Sequence, residues 1–106
     1  MLYIDHGKGG PADVLKPAEG PVPQPQAGEV VIEVHYAGVN RPDVLQRSGS
    51  YPPPPGASPI LGLEIAGRIC AVAPDVTQWK IGDLASALTP GGGYAEYCAV
   101  PEPHCL

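Results

Sequence analysis

The chain of 106 residues contains no phenylalanine, one tryptophan and five tyrosines. An aromatic core is therefore excluded, and Val, Ile, Leu and Ala must fill whatever interior forms. Basic residues are scarce too, six Lys and Arg against eleven Asp and Glu, for a net charge of -5. That balance argues against a nucleic-acid surface, because phosphate binding relies on clustered cations. No apolar run approaches the ~20 residues that span a bilayer, and no basic amphipathic stretch suggests a membrane surface. The opening "MLYIDHGKGG" has no cationic start followed by an apolar segment, so no secretory leader is expected and the expected location is cytoplasmic.

Other absences concern chemistry. Cys70, Cys98 and Cys105 are an odd number at irregular spacing, which is no disulfide framework. They are expected to be free, buried thiols. Paired Cys or His spacings of a structural zinc site are missing, and His104 and Cys105, if adjacent in a strand, point to opposite faces. His6 and His35 have no spaced partner. The glycine clusters "GKGG" (7–10) and "PGGG" (90–93) complete neither a dinucleotide fingerprint nor a phosphate loop, and read as hairpin turns. None of the serines at 48, 50, 58 and 86 lies in a G-x-S-x-G elbow.

What the chain has in excess is 14 glycines and 15 prolines, set between well-patterned apolar segments. Such punctuation marks turns joining short strands rather than a disordered tail. Prolines 17, 21, 23 and 25 exclude a helix or a central strand there. Residues 29–39 give the clearest strand, with Val30, Ile32, Val34 and Tyr36 on one face. A helix of two turns at most follows. Pro42 suits its first turn, Asp43 complements its dipole, Asn40 stands upstream as a cap candidate and Gly49 stops it. Val44 and Leu45 are expected inside, Gln46 and Arg47 on the solvated face. "LGLEIAGRICAVAP" reads as a long buried strand in which Gly62 and Gly67 mark a bulge or a close backbone approach. Trp79 reads as an apolar anchor, and "YAEYCAVP" as a closing strand. The expected fold is a mostly-β barrel or sandwich with one short helix.

Three stretches, "AGVNRPDVLQRSGSYPPPPGASPILGLEIAGRI", "VTQWKIGDLASAL" and "GGGYAEYCAVP", change what can be said of function. Together they resemble the amino-terminal GroES-like catalytic domain of medium-chain dehydrogenases/reductases, in the quinone oxidoreductase branch. The resemblance covers nearly the whole chain and implies a GroES-like, partly open β-barrel. Zinc-dependent alcohol dehydrogenases are similar but carry Cys where this chain has Asn40, and Gly-His-Glu where it reads Gly62-Leu63-Glu64. Their four-cysteine zinc lobe is also missing. The resemblance thus implies a reductase that works without zinc, passing hydride directly from NADPH to a quinone or conjugated carbonyl.

By the same resemblance, residues 1–106 form the substrate-side domain of a longer two-domain enzyme. A separate Rossmann domain would hold most of the NADPH, the full-length enzyme would pair as a homodimer, and this part alone would be inactive. Asn40 and Asp43 would line the nicotinamide side of the cleft. Tyr51, at the head of prolines 52–55, would wall the substrate pocket with a flat ring and a hydroxyl. Asn40 as a mere helix cap, Asp43 as a mere dipole partner and Glu64 as a structural buried acid stay open as alternatives. So do two other functions: an enoyl reductase of lipid or polyketide synthesis, and a free-standing GroES-like binding or co-chaperone module.

Overall fold

A computed structural model of the chain describes residues 1–7, 9–48 and 58–106. Strands β1 (Leu2–Asp5) and β2 (Lys16–Glu19) pair antiparallel as a small sheet, with a 3-10 turn at Ala12–Val14 between them. Pro17 fits there because a two-stranded sheet consists of edges only. The main sheet is antiparallel in the order β5-β4-β3-β6, from β3 (Glu29–Ala37), β4 (Glu64–Val72), β5 (Leu84–Leu88) and β6 (Tyr97–Pro101). The two sheets do not close into a barrel. A bridge between Tyr3 and Ala95, with Ile4 N–H donating to the Tyr94 carbonyl, ties one to the other.

Val30, Ile32, Ile65, Ile69, Ala85, Ala87, Cys98, Val100 and Cys105 form one core, against which Val34, Val72, Val76 and Trp79 pack. Aliphatic side chains do fill the interior. The alternation expected along β3 holds only in part, because Val31 is buried as well as Val30 and Ile32. A strand flanked by β4 and β6 has fewer positions left for water than an edge strand. β4 begins at Glu64, so residues 61–63, read as strand, instead run beside residues 89–94 through bonds such as Tyr94 N–H to Leu61 C=O. At Gly67 a Cβ would collide with the Glu33 carbonyl, where the register of β3 against β4 shifts.

The helix α1 (Arg41–Ser48) has the expected two turns, but its buried face differs. Asp43 and Gln46 are buried, whereas Val44 and Leu45 are half-buried. The seam that α1 covers is lined by backbone polar groups and a phenol, so polar side chains are the ones satisfied there. Gln46 Nε2–H reaches the Pro59 carbonyl at 3.5 Å. The thiols are free, but only Cys98 and Cys105 are buried; Cys70 is exposed, because it lies on the outward face of β4.

Candidate active site

The residues following β3, the first turn of α1, the start of β4 and Tyr94 converge on one place. Asp43 is 2 % exposed. Its Oδ2 accepts the Asn40 backbone N–H at 2.9 Å and the Tyr94 hydroxyl at 2.8 Å. The first bond is half of a capping box, in which the third helical residue reaches back to the residue before the helix. Its Oδ1 is buried with no hydrogen-bond partner among the described residues. Burial raises the Tyr94 phenol well above its ordinary value of 10.0, and the hydrogen bond to Asp43 and that carboxylate's charge raise it further. Removing its proton would set a phenolate against a carboxylate, so Tyr94 is a fixed donor at neutral pH.

Asn40 does not use its side chain as a cap. The exposed amide instead points across the chain, with Nδ2–H donating to Glu64 Oε1 at 3.1 Å. Glu64 is exposed rather than buried, and it accepts from this side chain rather than from neighbouring backbone N–H groups. Its own carbonyl accepts the Gly38 N–H at 2.8 Å. Val39, beside Asn40, is 78 % exposed, so an apolar surface borders the amide. Leu63 lines a largely apolar cleft of about 600 Å³ with Leu88, Thr89, Pro90, Pro103, His104 and Leu106.

Asn40 and Asp43 are thus brought together, one presenting a polar group outward and the other buried beneath it. Tyr51 lies outside the described residues. Tyr94, Glu64 and Gly38 are additional parts of the site. Tyr94 sits in a turn beside a strand, and no local signal in the sequence links it to Asp43. The buried thiols are held in their protonated form. Burial pushes the Cys98 thiol up to about 11, and it pushes Cys105 up as well, helped by Glu102. Among the described residues no cluster of three or more His, Cys, Asp or Glu could hold a metal ion, and no helix is long and apolar enough to cross a membrane.

Comparison with known proteins places these features. The alcohol dehydrogenase GroES-like domain pattern matches residues 26–106. A probable quinone oxidoreductase of Schizosaccharomyces pombe is 39% identical over 101 residues, which cover 94% of this chain and 30% of that protein. The crystal structure of Escherichia coli quinone oxidoreductase complexed with NADPH superposes with a TM-score of 0.89 at 29% identity, covering 100% of this chain and 32% of that one. A mycocerosic acid synthase-like polyketide synthase of Mycobacterium tuberculosis is 36% identical over 73 residues, 69% of this chain and 4% of the synthase. The chain therefore spans less than a third of the length of these relatives.

Proposed function

The chain belongs to the alcohol dehydrogenase GroES-like domain family, and from that premise we propose that it is the substrate side of a zinc-independent, NADPH-dependent quinone or enone reductase. The observation that carries the reading is the identity of the side chains at Asn40 and Leu63. At the two positions where zinc-dependent relatives offer a thiolate and an imidazole, this chain offers an amide and the hydrocarbon side chain of Leu63, and leucine has no lone pair for a metal.

The residues present suit the nicotinamide end of a cofactor. Asn40 provides an exposed amide, and the Val39 side chain before it is exposed as well, so the surface there offers a polar group and an apolar one. The sequence has no phosphate-binding glycine loop, so phosphate contacts belong to a separate nucleotide-binding domain of the whole enzyme. When bound, the nicotinamide supplies hydride, and with it both electrons of the reduction. The protein's part is orientation. Asp43 and Tyr94 hold the Asn40 backbone, Asn40 would meet the cofactor, and the resemblance assigns the substrate contact to Tyr51. A proton from solvent completes the hydroquinone.

The test is NADPH oxidation by the whole enzyme with a quinone acceptor, with and without a metal chelator, beside residues 1–106 alone. Chelator-insensitive turnover by the whole enzyme, and none by residues 1–106, is expected. Chelator-sensitive turnover, or robust turnover by residues 1–106, would overturn the reading. The polyketide synthase relative supports a second reading, an enoyl reductase. It predicts that 2-enoyl thioesters outrun quinones in the same assay.

A further inference from the structure

The Asn40 side chain has two chemically different ends, and which end meets a ligand decides what that ligand must offer. One end is fixed by contact with Glu64, whose carboxylate in its charged form can only accept hydrogen bonds. Asn40 therefore has to turn its Nδ2–H towards Glu64 Oε1, as the distance of 3.1 Å records. The amide is planar, so its carbonyl oxygen then faces away from Glu64. No hydrogen bond to that oxygen occurs among the described residues, and Asn40 is exposed.

Room for this arrangement comes from Gly38. A Cβ at that position would overlap the Glu64 carboxylate, although the backbone there does not need a positive φ. Glu64 thus lies over bare backbone and reaches Asn40 only because residue 38 has no side chain. Beneath it, Tyr94 O–H and Asn40 N–H both bind Asp43, which fixes the backbone from which the Asn40 side chain springs.

We propose that Glu64 is a positioning residue that locks the Asn40 amide with its carbonyl oxygen free, making that oxygen the acceptor for an N–H or O–H group of the bound ligand. This rests on the reductase reading above and refines it. The ligand group at Asn40 is a hydrogen-bond donor, such as a primary carboxamide or a sugar hydroxyl, and a bare carboxylate is disfavoured there. Glu64 touches neither ligand nor reacting atoms in this arrangement, and acts through Asn40.

The test needs no catalysis, so its failure is separate from failure of the reductase reading. In a 15N-labelled sample of the chain, one Asn40 side-chain amide proton should be shifted downfield of its twin and exchange more slowly with water. Glu64→Gln replaces an obligate acceptor by a group with both characters, and Gly38→Ala evicts the carboxylate without changing its chemistry. Gly38→Ala should collapse the Asn40 pair towards free-asparagine positions, and Glu64→Gln, whose carbonyl oxygen can still accept but whose amide can also turn round, should move it part of the way, while backbone amide signals away from residues 38–43 and 64 stay in place. An Asn40 pair that is unshifted in the parent chain, or identical in all three proteins, overturns the proposal. If one variant unfolds, the other still decides.

Discussion

A buried carboxylate is costly unless donors meet it, and Asp43 keeps two on one oxygen while the other has none among the described residues. Tyr94→Phe would remove one of those donors and leave Asp43 in place. The loss should be about 1–3 kcal/mol, the cost of stranding a buried polar group. Urea denaturation of both proteins measures it, and an unchanged midpoint would show that water takes the place of the hydroxyl. Cys98 gives a prediction of the opposite chemical type. Burial, ahead of the charges of Glu29 and Cys105, moves its thiol from 9.0 to about 11, with the Thr89 hydroxyl pulling the other way. The folded chain therefore keeps this proton at pH values where the unfolded chain releases it. The stability tied to Cys98 is whole below pH 9 and is lost as pH rises to about 11, by about 3 kcal/mol in total. Cys98→Ala should flatten that part of the alkaline decline; parallel declines in the two proteins would assign the proton elsewhere.

Among the elements, the seam between residues 60–63 and 89–94 carries the site, and Gly62 is its tightest point. Its φ is +105°, and a Cβ there would lie 2.6 Å from the Tyr94 N and 2.7 Å from the Gly93 Cα. Gly82 has a similar φ of +99° but open space around it. Gly82→Ala should therefore cost only the conformational strain, about 1–2 kcal/mol. Gly62→Ala adds a backbone collision and should cost more than about 3 kcal/mol, shifting the chain that bears Tyr94. Equal thermal midpoints for the two variants would mean the seam opens freely. This contrast also shows where the sequence was readable. Strands β3, β4 and β6 announce themselves through local apolar patterning, and helix α1 through Pro42 and Asp43 at its start and Gly49 after it. The buried face of α1 does not, because Asp43 reads as a dipole partner or cleft residue and Gln46 as solvated until Tyr94 and Pro59 arrive from 51 and 13 residues away. Pairings of that range leave no periodic trace, and the Asn40–Glu64 contact was hidden for the same reason.

At the scale of the whole molecule, the outward side of β5 is the exception to a well-buried interior. Leu84 and Leu88 are 67% and 61% exposed, and Leu106 and Tyr36 are 77% and 78% exposed. Leu84 and Leu88 lie two positions either side of Ser86 on one face of the strand, and Leu106 exchanges both backbone hydrogen bonds with Ser86 on the edge of β5 away from β4, covering part of that edge. A contiguous apolar surface beside a partly open strand edge favours association of chains in water. Residues 1–106 in isolation should therefore scatter light increasingly with concentration and take up a hydrophobic dye. Changing Leu84 and Leu88 together to Lys should suppress both signals. Neither side chain belongs to the buried core, so the thermal midpoint should shift by no more than about 2–4 °C, as expected for surface substitutions worth less than ~0.5 kcal/mol. A large fall in that midpoint would show instead that the two leucines support the fold itself. In that case the exposed face would be a structural part of the sheet, and the solubility of the chain would have to be sought at other exposed apolar residues, such as Leu2, Val22, Val39 or Ile81.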